Sequence, residues 1–350
     1  MVRAPRPTAT GLTRRHLLAG AAGASLVPWL AGCAVLRGAA EPIALDWESP
    51  HGRDHPLAGR LFAPDDERLV DEAEAIERLD DAHYILLGET HDNPDHHRLQ
   101  ARLIRALNAG GRRPVVAVEM IESTQRYKLA AYLAANPHDA EGIGAAIGWE
   151  AAGWPPYAMY RPIFAAALEL GLPIVSGNLP AETIRALGRD EPGVRSLASR
   201  LRLDRPFPPE LEAALEAEIA EAHCGYVEGE ALAVMARGQR ARDAAMARRL
   251  FDFATKFGIV LIAGAGHCRT DRGAPYYLRR INSTVEVASL AFIEVAEDKP
   301  KPADYAAAFG APRLPFDLVC FTPRIDTRDS CERFKNQLEK MKAKGAASGS

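Results

Sequence analysis

Short, uninterrupted apolar runs recur along the chain and predict strands that are buried on both faces. Each run ends near a glycine or a polar residue. The four clearest runs are Tyr84 to Leu87, Pro114 to Met120, Pro173 to Ser176 and Ile259 to Ala263. Two later runs, 285–295 and 316–321, are further candidates for the same sheet.

A helical pattern follows the first of these runs. Asp92 or Asn93 can cap a helix with Pro94 at its first position, and the next apolar residues repeat every three or four positions, at Leu99, Leu103, Ile104 and Leu107. Strand, helix and strand in this order predict a parallel pair with a right-handed crossover, so the fold class is α/β with a mainly parallel sheet. Longer helical stretches at about 122–165 and 188–252 predict inserts that cover one end of the sheet.

The first 40 residues predict an export signal, because they lack Asp and Glu and place arginines before a short apolar run. Arg14 and Arg15 resemble the twin-arginine pattern, and the segment that ends in Cys33 resembles a bacterial lipobox, in which the cysteine carries the lipid. We therefore predict a signal peptide over residues 1–32 and a lipidated tether over residues 33–60. A transmembrane anchor is the alternative, but the run is shorter than the roughly 18 apolar residues that a span needs.

This leader predicts an exported bacterial lipoprotein that faces the periplasm or the cell surface and contacts the membrane through its lipid anchor. Ala34 follows Cys33, where an aspartate would favour the inner membrane, so we expect the outer membrane. One α/β domain is predicted over 61–330, followed by a polar tail over 331–350.

Composition narrows the classes of function. Hydrophobic residues make up 47% of the chain and charged residues 25%, which is typical of a folded protein and not of a disordered or multi-span one. The net charge is −3 and the basic residues are scattered, so nucleic acid is not expected as a partner. Cysteines 224, 268, 320 and 331 have no paired Cys-x-x-Cys spacing, so a zinc ribbon is not supported and disulfide pairing stays open.

Polar, chemically active residues follow all four clear runs. Glu89 and His91 follow the first, Glu119 ends the second, Asn178 follows the third, and His267 follows the fourth. Because the carboxyl ends of parallel strands lie at one edge of a sheet, we expect these side chains to share a site.

Carboxylate and imidazole groups at one edge suit two kinds of chemistry. Glu89, His91, Glu119 and His267 could bind a divalent metal whose open position activates water. Without metal, His91 or His267 could act as a general base that Glu89 or Glu119 orients. A purely structural role, in which each group caps a strand end, is the alternative.

Six segments in this order resemble the ChaN family of haem-associated lipoproteins, within the Tiki superfamily that includes erythromycin esterases and TraB proteins. They span about residues 66 to 296 and read LLGETHDNPDHH, VVAVEM, GWPPYAMYRPIF, LPIVSGNLP, QRARDAAMA and LIAGAGHCRTDRGAP. The resemblance implies a three-layer α/β/α core with a large α-helical insert. Superfamily enzymes use a GExH segment, a second-strand glutamate and a GxGH-like segment. The residues of this chain at those places are Gly88, Glu89, His91, Glu119, Gly264, Gly266 and His267.

By the same resemblance the chain binds haem in iron acquisition, with a tyrosine ligand and the haem held between the subunits of a homodimer. Haem requires apolar walls, an axial donor and partners for its propionates. Trp154, Tyr157, Tyr160 and Arg161 offer a wall, two phenols and a cation, with Tyr226 as a third phenol. Packing of this aromatic turn at the start of a helix is the alternative.

Further residues are expected around the site. His96 and His97 could support it or receive propionates, and Asn178 could line it. Gln239 and Asp243 share one helical face and could fix the insert to the strand-end loops, with Arg242 or Arg269 as partners.

Two functions follow from the sequence. The first is a membrane-anchored haem-binding lipoprotein for haem and iron acquisition. The second is a divalent-metal-dependent hydrolase that uses Glu89, His91, Glu119 and His267.

Overall fold

An eight-stranded mixed sheet forms the centre of residues 40–329 and 331–332, which are the residues that the computed structural model describes. The strands are β1 (Leu61–Ala63), β2 (Arg68–Val70), β3 (Tyr84–Glu89), β4 (Val115–Glu122), β5 (Ile174–Asn178), β6 (Ile259–Gly264), β7 (Val287–Glu294) and β8 (Leu318–Thr322). Their order is β2-β1-β8-β7-β3-β6-β4-β5. All pairs from β8 to β5 are parallel, whereas β1 is antiparallel to both β2 and β8.

Helices cover both faces of the sheet. They are α1 (Glu72–Asp80), α2 (Pro94–Ala109), α3 (Arg126–Ala135), α4 (Ile143–Ile147), α5 (Tyr157–Glu169), α6 (Ala181–Gly188), α7 (Arg195–Arg200), α8 (Pro209–Ala222), α9 (Gly229–Phe253) and α10 (Ala274–Ile281). Alternate residues of β3 enter different cores, since Ile85 and Leu87 pack with α2 and α5 while Leu86 packs with α9 and α10. The predicted three-layer α/β/α class is therefore confirmed, with the six apolar runs as strands.

The start of α2 shows how local sequence fixes this layer. Asn93 is the cap residue, and its side-chain oxygen accepts a hydrogen bond from the Asp95 backbone N–H at 3.0 Å. Pro94 lies in the first turn, where a missing N–H costs nothing. The helix ends at Ala109, and Gly110 is its C-cap residue.

The stretch before the domain differs from the expectation. Residues 40–60, predicted as part of a tether, instead pack against the domain, with Ile43 and Leu57 in its cores. The Asp95 carboxylate accepts the backbone N–H groups of Glu48 at 2.9 Å and Ser49 at 2.8 Å. This stretch packs against the domain because its apolar side chains are buried in the cores and its backbone N–H groups donate to Asp95. The predicted signal peptide, Cys33 and tail residues 333–350 lie outside the described residues.

A disulfide joins the helical region to the beginning of the predicted tail. Cys224, just after α8, is bonded to Cys331, which is 107 residues away in sequence. Cys268 and Cys320 are buried free thiols. Within residues 40–329 and 331–332, no helix is long and apolar enough to cross a membrane.

The disulfide generates a stability prediction. Replacing Cys224 with Ser should lower the free energy of unfolding by about 2–4 kcal/mol, because the unfolded chain regains the freedom that a long closed loop removes. Urea unfolding of the non-reduced proteins measures this. Dithiothreitol should destabilise the parent protein to the level of the variant and leave the variant unchanged; equal midpoints before reduction would contradict the prediction.

Candidate functional site

Three strands bring two buried carboxylates and two imidazoles to one edge of the sheet. Glu89 ends β3, Glu119 lies near the end of β4, and His267 lies in a short 3₁₀ helix that directly follows β6. The Nδ1 atom of His91 lies 3.0 Å from Oε1 of Glu89, and Nε2 of His267 lies 3.2 Å from Oε1 of Glu119. The four residues therefore form two carboxylate–imidazole pairs, which we call the strand-end cluster.

The Glu89 side chain is fully buried. Its Oε1 accepts a hydrogen bond from the Tyr160 hydroxyl at 2.8 Å, and its Oε2 lies 3.4 Å from Nε2 of His97. Burial favours the protonated form, but the imidazoles of His97 and His91 outweigh it and hold the pKa of Glu89 below its ordinary range. Burial and the Glu89 charge raise the pKa of Tyr160, so this phenol stays neutral and donates its proton.

His267 lies between two carboxylates. In addition to Glu119, its Nδ1 lies 2.6 Å from Oδ1 of Asp243 on α9. Burial opposes the charged imidazole, but the two carboxylates outweigh it and raise the pKa of His267 to about 10. Burial raises the pKa of Asp243 to about 6 despite the nearby imidazole. The ion pair fixes α9 to the sheet, and Asp243 therefore pairs with His267 and not with Arg242 or Arg269.

His91 is the accessible member of the cluster. About 33% of its side chain is exposed, whereas the Glu89 side chain is fully buried. Partial burial opposes protonation, but the bond to Glu89 and the charge of Glu119 raise the pKa of His91 above its ordinary value. Its ring lies edge-on to Trp154, with centroids 5.1 Å apart.

Gly264 makes room for this imidazole. A Cβ atom at this position would lie 3.0 Å from Nε2 of His91, and the Gly264 backbone N–H donates to Oε2 of Glu119 at 2.9 Å. A glycine here thus lets both pairs of the cluster approach the same strand end.

The residues predicted to bind haem are dispersed. Trp154, Tyr160 and His97 contact the cluster. Tyr157 is buried and donates to the Ala140 carbonyl at 2.6 Å, while the exposed Arg161 pairs with Glu141.

The other two predicted residues have local partners. His96 is fully buried; its Nδ1 accepts the Thr90 N–H at 2.9 Å, its Nε2 lies 2.8 Å from the Thr322 hydroxyl, and burial lowers its pKa to about 3. Asn178 accepts the N–H of Leu179 at 2.9 Å. Both side chains satisfy the backbone or the core, and a role in binding haem stays a prediction.

The predicted metal-ligand set is not formed as one group. In the described ranges, no three His, Cys, Asp or Glu side chains are arranged to hold a metal ion. The imidazoles instead contact carboxylates, His91 through Nδ1 to Glu89 and His267 through Nε2 to Glu119 and Nδ1 to Asp243, and metal binding by these residues stays a prediction.

One surface was not predicted from the sequence. A groove of about 270 Å³ lies between α3, the edge strand β5 and the end of α9, and Tyr127 and Phe253 border it. The Tyr127 side chain is 70% exposed. The signal that could have indicated it is weak: an aromatic residue beside Arg126 in an alanine-rich helix of which only Leu129 is buried.

Comparison with solved structures places the fold. The structure of ChaN from Campylobacter jejuni, described as showing cofacial haem binding, is 20% identical, covers 74% of this chain and 95% of its own, and gives a TM-score of 0.59. The structure of an erythromycin esterase, EreC, in its open conformation gives a TM-score of 0.40 at 14% identity. The match covers 67% of this chain and 77% of the EreC chain. The structure of a Bacillus cereus protein also gives a TM-score of 0.40, at 10% identity. The match covers 71% of this chain and 90% of the B. cereus chain. No curated protein matches the chain significantly.

The sequence itself matches a family model. The model describes "Haem-binding uptake, Tiki superfamily, ChaN" and covers residues 75–278, which is more than half of the chain. This range contains the whole strand-end cluster and α9. The chain therefore belongs to the ChaN family of haem-binding uptake proteins in the Tiki superfamily.

Proposed function

We propose that this protein binds haem for haem and iron acquisition, from a lipid-anchored position outside the cytoplasm. The family match over residues 75–278 carries the proposal, because it spans both the strand-end cluster and the helices that cover it. When bound, haem would supply an iron centre that can bind a donor atom of the protein.

The export and anchoring parts of the proposal rest on the leader. Arg14, Arg15 and Cys33 support export and lipid attachment, although they lie outside the described residues. The disulfide between Cys224 and Cys331 supports the same location, since disulfides persist in oxidising compartments. Ala34, which follows Cys33, supports an acyl anchor in the outer membrane and not in the inner membrane.

A homodimer is part of the proposal. The C. jejuni ChaN structure is described by cofacial haem binding, in which two haem faces meet. Two copies of this chain that each carry one haem would give the same pairing.

Two of the predicted ligands do not fit haem in their present positions. The phenol oxygens of Tyr157 and Tyr160 are both hydrogen-bonded inside the protein, to the Ala140 carbonyl and to Glu89. Coordination by Tyr160 would break its bond to Glu89 and leave that buried carboxylate with fewer partners, which is costly. A donor at the surface is therefore the better fit.

A hydrolase is the second candidate, and the position of His91 favours it. Its Nδ1 is held by the buried Glu89, which orients the ring and leaves Nε2 to accept a proton from water or a hydroxyl group. Tyr160 fixes Glu89 in turn. This arrangement suits acid–base chemistry without requiring a metal ligand set.

Haem binding gives the first functional prediction. Hemin titrated into the purified protein should produce a red-shifted, sharpened Soret band that saturates at a fixed ratio. The same titration with metal-free protoporphyrin IX separates coordination from apolar adsorption and should give weaker binding. A spectrum that stays that of free hemin throughout would contradict the proposed function.

The second candidate predicts a measurable ester hydrolysis with a defined pH dependence. The rate with p-nitrophenyl acetate should fall as the pH drops through a pKa above the ordinary imidazole value, because the base must be unprotonated. Replacing His91 with Ala should reduce kcat/KM by about 10²-fold or more.

The exposed His138 provides a matched control for this test. His138→Ala should retain the parent rate, since it lies on the surface after α3. Equal rates for His91→Ala and His138→Ala would rule out His91 as the base.

A further inference from the structure

Arg242 is a cation beside the strand-end cluster that has no carboxylate partner. It lies on α9, directly before Asp243 and about one helical turn after Gln239. The Asp243 carboxylate contacts His267 at 2.6 Å, and in the part of the chain that the structure describes Arg242 forms no ion pair. Its charge is therefore not neutralised by direct contact.

The hydrogen-bonding capacity of Arg242 is also largely unused. Its Nη1 atom lies 3.5 Å from Oε1 of Gln239, which is a long contact, and its Nε atom is buried without a partner. Among the described residues Nη2 has no acceptor either, and this atom is not buried. A guanidinium has five N–H donors, and donors left without acceptors inside a protein often mark a place where a ligand supplies them.

Gln239 connects Arg242 to the cluster. Nε2 of Gln239 lies 3.3 Å from Nδ1 and 3.4 Å from Nε2 of His267, so the amide lies beside the imidazole ring. His267 in turn lies 3.2 Å from Glu119. Burial raises the pKa of Glu119, but the imidazole of His267 and other nearby cations, which include Arg242, outweigh it and lower this pKa to about 2.

A role in balancing these carboxylates does not explain the position of Arg242. A guanidinium that served only as their counter-ion would be expected to contact one of them, because a direct, charge-assisted hydrogen bond is much stronger than a distant attraction. Within the described residues Arg242 contacts neither Glu119 nor Asp243. The guanidinium is thus held close to the cluster with donors to spare.

The open side of the cluster is at His91. Its side chain is about 33% exposed, and its Nε2 lies 3.0 Å from the position that a Cβ atom on Gly264 would take. That position lies 3.8 Å from Oε2 of Glu119. A molecule that reaches His91 therefore lies beside a carboxylate, which repels an anion unless a cation faces it. Arg242 is a cation that can do so.

We propose that Arg242 binds a carboxylate group of the substrate at the strand-end cluster, so that the esters hydrolysed there are carboxylate-bearing ones. This inference rests on the hydrolase candidate of the proposed function and names its substrate class. A planar guanidinium can hold a carboxylate through two parallel N–H···O bonds, and Nη1 and Nη2 are the two groups that have donors to spare.

Arg242 positions the ester and takes no part in proton transfer. In the reaction, water adds to the acyl carbon and the bond from that carbon to the alcohol oxygen breaks, which gives an acid and an alcohol. Nε2 of His91 accepts a proton from the water and returns one to the departing oxygen. Loss of Arg242 should therefore weaken the reaction of anionic esters and leave that of neutral esters almost unchanged.

The test compares two acetate esters as substrates of the full-length protein, 4-acetoxybenzoate and its neutral amide analogue, 4-acetoxybenzamide. Arg242→Gln should lower kcat/KM for 4-acetoxybenzoate about tenfold or more, mainly through a higher KM, because a charged hydrogen bond is lost. The value for 4-acetoxybenzamide should change by less than about threefold. Arg242→Lys keeps the charge and should show a smaller loss with the same selectivity.

Arg248→Gln is the matched control for this test. Arg248 is an exposed arginine on the same helix and is paired with Asp252 at 2.6 Å, so its replacement should leave both kcat/KM values unchanged. Equal losses for the two esters in Arg242→Gln would assign Arg242 a structural or charge-stabilising role and overturn the inference. Unchanged values for both esters would overturn it as well.

Failure of the hydrolase candidate gives a different result. If the parent protein hydrolyses neither ester but binds hemin, the hydrolase candidate and this inference both fail, while haem binding stands. If the parent protein hydrolyses both esters and only the inference is wrong, the ratio of the two kcat/KM values stays the same in the parent protein, Arg242→Gln and Arg242→Lys.

Discussion

Buried ion pairing at the strand ends is the interaction on which the rest of the structure depends. Glu89 and Glu119 are 2% and 1% exposed, and taking a carboxylate out of water costs on the order of several kcal/mol unless it is paired. His97 and His91 offset this cost for Glu89, and His267 offsets it for Glu119. The same contacts reach both helical layers, because Tyr160 on α5 donates to Glu89 and Asp243 on α9 pairs with His267. The helical cover is thus fixed to the sheet by charge as well as by apolar packing.

Much of the fold could be predicted from the sequence because its strongest signals are local. The continuous apolar runs predicted β3, β4, β5 and β6. The alternation of strands and helices along the chain predicted a parallel sheet, in which the carboxyl ends of these strands lie at one edge. The short strands Leu61–Ala63 and Arg68–Val70 carry too few residues for a pattern, and the packing of residues 40–60 depends on a distant acceptor, Asp95. Such long-range contacts leave no periodic trace in the sequence.

The candidate site was predictable in position but not in pairing. The positions of Glu89, His91, Glu119 and His267 at the ends of predicted parallel strands indicated that these side chains lie at one edge of the sheet. Which imidazole contacts which carboxylate depends on differences of an ångström or two, and the sequence does not show them. Among the described residues these side chains form pairs and no group of three arranged for a metal ion, so metal binding stays a prediction. The groove between α3, β5 and the end of α9 was missed because Tyr127, Arg126 and Phe253 belong to exposed faces, where sequence patterns constrain little.

The charged, mostly buried strand-end cluster thus fixes both helical layers to the sheet. A crystal structure of the haem-loaded protein tests this role most directly. It should show the strand-end cluster with the contacts of Tyr160 to Glu89 and of Asp243 to His267 intact. A structure in which Tyr160 has turned away from Glu89 would contradict it.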